Sequence, residues 1–96
     1  MITIEIGDKT YKVQEAHTDK EKEKGLQGIN ELPENEGMLF YFDPPQEVAM
    51  WMEDTLIPLD IVFIDDDMEV ISVAKGEPNN EELIIEQDVA YVLEVN

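Results

Sequence analysis

Apolar and polar residues alternate from the start of the chain. Ile2, Ile4 and Ile6 fall on one side of an extended segment, Gly7-Asp8 is a turn signal, and Tyr11 and Val13 alternate with Thr10 and Lys12. This spacing predicts an N-terminal β-hairpin. Thr18-Asp19-Lys20-Glu21 then has the form of a capping box, in which the Thr hydroxyl accepts from the N3 amide and Glu21 reaches back to the cap amide. A short helix over residues 18–25 follows, ending near Gly25. It is almost wholly Lys and Glu, so only Ala16, Leu26 and Ile29 at its edges can anchor it. Its i,i+3 pairs, Asp19 with Lys22 and Glu21 with Lys24, are worth only about 0.2–0.5 kcal/mol each.

Beyond the helix the pattern is extended. Leu32 to Gly37 reads as loop, and Met38-Leu39-Phe40-Tyr41-Phe42 as a buried strand stopped by Asp43-Pro44-Pro45. Val48 to Met52 reads as another strand, with Val48, Met50 and Met52 on one face, Ala49 and Trp51 on the other, and burial on both sides. Ile57 to Ile64 repeats this two-sided pattern, with Pro58 tolerable near the strand's start. Asp65-Asp66-Asp67 is a hairpin turn into Glu69 to Val73. Leu83 to Ile85 and Val89 to Val95 close the chain as short strands. Roughly seven or eight short strands and one helix, without repeats or linkers, predict a mostly β (α+β) single domain over 1–96: a small, partly open β-barrel or a strongly curled antiparallel sheet.

Composition agrees with a folded domain and narrows its partners. Leu, Ile, Val and Phe make up 28 of 96 residues, above the roughly 20% below which a highly charged chain is expected to be disordered. Asp and Glu number 24 against six Lys and no Arg, for a net charge of −18. A surface that neutralises phosphates needs clustered Lys and Arg, so direct nucleic-acid binding and attachment to anionic membranes are not expected. With no cysteine there is no disulfide, thiol nucleophile or thiolate metal site. The start lacks the basic and apolar regions of a signal peptide, and the longest apolar run, Ile61 to Ile64, is far below the roughly 20 residues of a membrane span. A cytoplasmic monomer is the expectation.

Several short motifs in order carry a resemblance. Gly25-Leu26-Gln27-Gly28, Leu32-Pro33, Gly37-Met38-Leu39-Phe40, Met50-Trp51-Met52, Thr55, Ile57-Pro58-Leu59-Asp60, Phe63-Ile64-Asp65 and the closing Tyr91 to Asn96 resemble the bacterial, archaeal and phage family called domain of unknown function 192. The resemblance implies a mostly β, partly open barrel with one small helix, and it transfers no catalytic residue, because the family has no established activity. Where its members commonly show a basic residue and Asn before the Thr, this chain has Glu53-Asp54; its segment Ala74 to Pro78 is brief and thiol-free; and it stops at Asn96. These departures suggest a minimal, intracellular member, of a kind a phage could encode.

Asp60 is the most informative single residue, because strand parity sets it with Val62 and Ile64 in a strand apolar on both faces. A buried carboxylate needs donors or a raised pKa, so Asp60 is either a general base or a bracing acceptor for backbone amides or Thr55. Trp51 could wall a pocket mouth, with Thr55 beside it and Met38 and Phe40 completing it; the same residues would equally suit a small core. Asp65, Asp66 and Asp67 lack the glycine and distal glutamate of a calcium loop and read as a plain acidic turn. His17 has no second His or Cys for zinc. No metal and no cofactor is expected.

The function these residues favour is a module binding a small ligand or protein near Trp51, Thr55 and Asp60. The alternatives are an acidic decoy that mimics nucleic acid, and an enzyme using Asp60 as general acid or base. The charge itself carries a physical expectation. Self-repulsion at −18 opposes the compact state, so the melting temperature rises as added NaCl shortens the screening length; a flat melting temperature across a NaCl series would show the charges to be already neutralised or well separated.

Overall fold

The computed structural model describes all 96 residues. Strands β1 (Ile2–Ile6) and β2 (Lys9–Ala16) form the N-terminal antiparallel hairpin that the alternation predicts, with Ile4 opposite Tyr11. Helix α1 (Asp19–Lys24) begins with the capping box intact. Thr18 Oγ1 accepts from the Glu21 amide at 3.1 Å, and Glu21 Oε1 accepts from the Thr18 and His17 amides, each at 3.0 Å. The helix stops at Gly25, whose φ of 48° suits a residue without Cβ and whose N–H reaches the Glu21 carbonyl at 2.9 Å. No residue of α1 is buried; Ala16 and Leu26 at its edges are, and Ile29 packs beside them.

Four more strands complete the domain: β3 (Glu36–Met50), β4 (Leu59–Ile64), β5 (Val70–Gly76) and β6 (Ile84–Val95). They form one open six-stranded sheet in the order β1-β2-β3-β6-β4-β5. The expected mostly β, partly open fold with a single short helix is the observed one. All pairs are antiparallel except β2 with β3. A parallel pair needs a crossover of a dozen or more residues, and segment 17–35, which carries α1, supplies it.

The strand count is lower than the sequence suggests. Residues 38–42 and 48–52 are not separate strands: β3 runs through Asp43-Pro44-Pro45 to Met50. The ladder with β6 absorbs the prolines as register shifts between Tyr41 and Gln46 and between Gln46 and Val48. A proline cannot donate to a ladder, but a bulged stretch asks for no donor there. On the partner strand, segments 83–85 and 89–95 likewise merge into β6, with Asp88 at a φ of 57° opposite the irregularity. The expected two-sided burial of residues 48–52 is also corrected. β4 pairs only with residues 91–95 of β6, which leaves the 84–89 part of β6 without a strand neighbour on that edge, and Ala49, Trp51 and Ile85 are exposed.

Each face of the sheet buries its own cluster. One is built on Ala16, Leu26, Met38, Phe40, Val48, Met52, Leu59, Ile61, Phe63, Val89 and Val92. The other holds Val13, Leu39, Val62, Ile64, Leu93 and Val95, with Ile4 and Ile6 of β1 against it. Between them β3 and β6 pack their backbones tightly at Gly37, where a Cβ would lie 2.2 Å from the Glu94 carbonyl oxygen and 2.8 Å from Val95 Cγ1. Backbone cannot yield as a flexible side chain does. Gly37→Ala is therefore expected to lower unfolding stability by about 3 kcal/mol, measured by denaturant titration, whereas an alanine at Gly76, whose neighbour is the flexible Met52 side chain, costs less.

Candidate functional site

A concavity lies where three local features meet. The C-terminal turn of α1, the middle of β3 and the loop after β3 enclose a cavity of about 350 Å3, at the small end of ligand-sized pockets. Leu26, Phe40, Phe42, Met50 and Trp51 supply its apolar wall, Lys22, Lys24, Asp19, Glu23 and Glu53 its charged rim, and Glu94 reaches it from β6.

The loop is held by backbone bonds. The Met52 amide donates to the Asn80 carbonyl at 3.0 Å, the Asn79 amide to the Thr55 carbonyl at 2.9 Å, and the Gly28 amide to the Asp54 carbonyl at 3.0 Å. Gln27 Nε2 donates to the Glu53 carbonyl at 3.2 Å. Asp54 sits at a φ of 54°, a left-handed position that Asn and Asp tolerate better than most residues. The turn thus asks for Asp or Asn at this point, and of the acidic pair only Glu53 lines the cavity. Trp51 is 40% exposed, and Thr55 is buried at 5% with its hydroxyl donating to the Glu53 carbonyl at 3.3 Å.

Trp51, Thr55 and Phe40 are brought together as lining residues. Met38 belongs to the same apolar cluster as Phe40 but opens onto a neighbouring hollow beside Gly28 and Ile29. Asp60 lies elsewhere. Parity places it on the face of Val62 and Ile64, and in the ladder it stands between Val95 and Lys75. Lys75 Nζ is 2.7 Å from its Oδ1, and the two side chains are 31% and 81% exposed for Asp60 and Lys75. An ion pair this exposed contributes about 0–1 kcal/mol. The partner expected from the sequence, Thr55 or a backbone amide, is not the one found.

Two other groups of polar residues are accounted for locally. His17 stacks on Tyr41 with ring centroids 4.1 Å apart, and its Nε2 is 3.4 Å from Glu15. The Tyr41 hydroxyl donates to Glu15, which holds that carboxylate below its usual range, while burial pushes the phenol up to about 12. Asp65, Asp66 and Asp67 form the β4/β5 turn, with Asp65 Oδ1 accepting from the Asp67 and Glu69 amides at 2.9 Å each.

Glu94 is the residue that parity reading passed over. It shares a strand face with Ala90 and Val92, beyond the polar Glu86 to Asp88 stretch of β6, and it is only 4% exposed. It stands opposite Met38 on β3 and Ile61 on β4, neither of which can donate a hydrogen bond. Its carboxyl has no hydrogen bond or ion pair with the protein; the ion pairs present are His17 with Glu15 and Lys75 with Asp60. No fully enclosed side-chain oxygen or nitrogen lacks a partner, so the unpartnered Glu94 oxygens keep some accessible surface, and Glu94 is one of the residues lining the cavity. Burial alone, with no compensating charge, pushes its pKa up to about 7.

Between the ordinary carboxylate range and pH 7 the folded chain holds a proton at Glu94 that the unfolded chain has released, so stability falls as pH rises through this window. Below it both states are protonated and the effect vanishes; above it the cost is on the order of 3 kcal/mol. Ordinary carboxylates are already ionised between pH 6 and 8, which isolates Glu94 from them. Glu94→Gln is expected to flatten the decline in melting temperature between pH 6 and 8 relative to the unmodified chain; identical slopes in the two proteins would contradict the assignment.

Comparison with known proteins places the chain. A family model described as an uncharacterized ACR, DUF192, matches residues 2–96. Among solved structures, a protein of unknown function from Novosphingobium aromaticivorans DSM 12444 superposes with a TM-score of 0.89 at 36% identity, over 92% of this chain and 64% of that one. A "putative transcription regulator" from Sinorhizobium meliloti 1021 superposes with a TM-score of 0.88 at 35% identity, over 91% of this chain and 69% of that one. This chain therefore spans less than two thirds of the length of the first. No curated protein matches it. No helix is long and apolar enough to cross a membrane. With the match running from the first hairpin to Asn96, the chain belongs to the domain of unknown function 192 family.

Proposed function

We propose that this protein is a binding module for a small, partly apolar molecule, which it holds in the cavity between α1, β3 and the loop after β3. The observation that carries this reading is Glu94, a carboxyl buried without a partner that opens onto a cavity walled by Phe40, Phe42 and Trp51. Leaving such a group unpaired is costly, and a fold gains nothing in stability from it. A ligand that supplies the missing partner removes that cost while covering apolar wall from water. Convergence of one polar anchor and several apolar side chains in a cleft is the usual composition of a small-molecule site.

Thr55 has a supporting role here: its backbone and hydroxyl fix the loop that presents Trp51 and Glu53. Asp60 is outside this site and has no part in the proposed binding. The regulator description of the Sinorhizobium meliloti protein does not extend to direct DNA contact by this chain, because 24 acidic residues face six lysines and no arginine.

A fragment screen followed by amide chemical-shift mapping tests the reading. Binding fragments are expected to shift the amides of residues 24–28, 40–42, 50–55 and 94, and to change the fluorescence of Trp51, the chain's single tryptophan. Trp51→Ala should weaken such fragments about tenfold. Shifts confined to surfaces away from these residues would sink the proposal.

A further inference from the structure

We infer that the cavity's ligand is an organic cation, a small ammonium on an apolar or aromatic stem, whose N–H donors rest on the Glu94 carboxylate. This inference depends on the cavity being a ligand site and goes further by fixing the ligand's charge and chemical class. The geometry supplies the first argument: Glu94 is 4% exposed, unpartnered, and among the residues that line the cavity. An ionised carboxylate is an acceptor only, so its complement must be a donor, and a charged donor offsets its charge as a hydroxyl cannot.

The surrounding charges supply the second. From α1, Asp19, Lys22, Glu23 and Lys24 face the cavity, and from the loop Glu53 does. β3 presents Phe40, Phe42 and Met50, and β4 presents Ile61 opposite Glu94; none is charged. Acidic groups thus outnumber the lysines at the rim even before Glu94 is counted, and the whole chain carries −18. Lys22 is already occupied, with its Nζ 4.4 Å from the centroid of the Phe42 ring. An anionic ligand would meet net repulsion at the rim and again at the floor, whereas a cation is drawn in. The aromatic rings of Trp51 and Phe40 favour a cation over an anion through their electron-rich faces.

Proton linkage gives the distinguishing signature. An ammonium needs Glu94 ionised, so each bound cation displaces the Glu94 proton wherever that proton is still held. With the carboxyl poised at about 7, affinity for an ammonium rises about tenfold from pH 6 to pH 8. A neutral acceptor such as a primary amide would instead bind the protonated carboxyl, and its affinity would fall over the same range.

Benzylammonium, benzyl alcohol, benzamide and benzoate titrated into the full chain at pH 6 and pH 8, read by amide shifts and Trp51 fluorescence, test the inference. The expected result is that benzylammonium binds tightest, shifts Glu94 and Phe40, and gains about tenfold at the higher pH. Glu94→Gln should then lose that pH dependence and at least about tenfold in affinity at pH 8. If that variant fails to fold, Glu23→Gln on the exposed helix surface serves, with an expected loss of about two- to threefold that added salt erases. Tighter binding of the alcohol, amide or benzoate at the same amides, or an ammonium affinity that falls with pH, overturns the cation while leaving the cavity as a ligand site. Silence from all four probes at the cavity also overturns the cation, and in that case the fragment screen decides separately whether the cavity binds anything.

Discussion

The antiparallel ladder between β3 and β6 is the constraint on which the other parts depend. β3 carries the parallel bond to β2 and β6 the antiparallel bond to β4, so both halves of the sheet hang from this one pairing. Its register is fixed at one end by Gly37, where nothing larger than hydrogen fits against the Glu94 carbonyl. A slip of one residue would exchange the two faces of β6, sending Glu94 to the face of Leu93 and Val95 and bringing Leu93 to the cavity side. The placement of the one buried carboxyl is thus a property of strand registry, set many residues away from the helix and loop that complete the cavity.

The irregular middle of that ladder has a use. Beyond the bulge between Tyr41 and Val48, β3 continues to Met50 and leads into Trp51, so that Ala49, Met50 and Trp51 line the cavity together with α1. α1 is only six residues long and buries none of its own side chains. It is positioned through its ends, by the capping box at Thr18, by Gly25 against Phe40, and by Leu26 in the core. The cavity therefore has a fixed floor and wall, supplied by strands, and a rim supplied by a lightly anchored, highly charged helix. Local opening is expected to be cheapest at that rim, where few apolar contacts hold the backbone. Of all the charged residues only Glu94 is buried, so a chain at −18 keeps two ordinary apolar clusters.

What was legible in the sequence was what neighbouring residues decide among themselves. The hairpin around Gly7-Asp8, the capping box at Thr18 to Glu21 and the Asp65 turn are each closed by bonds spanning four residues or fewer, apart from the hairpin's own ladder. The order of motifs was enough to reach the family. The prolines were misleading because their effect depends on the partner strand: Asp43-Pro44-Pro45 ends a regular strand but is accommodated where β6 shifts register to meet it. Trp51 and Thr55 adjoin through the short loop after β3, and Phe40, farther back on the same strand, lines the same cavity.

Asp60 and Glu94 show where sequence reading reaches its limit. Each carboxylate sits beside apolar residues on its own strand face, Asp60 beside Val62 and Glu94 beside Val92, and alternation, with its period of two, cannot say which is buried. Tertiary structure decides it by neighbours. β4 lies next to the edge strand β5, which offers Lys75 across from Asp60 and leaves both open to water. β6 is central, flanked by β3 and β4, and sets Met38 and Ile61 beside Glu94 with no donor between them. The sequence by itself determined the local elements, the family and the sign of the charge, because these follow from residue type and short spacing. Only the tertiary structure decided which carboxylate loses its water, because desolvation is a property of what covers a residue, and covering strands arrive from far along the chain.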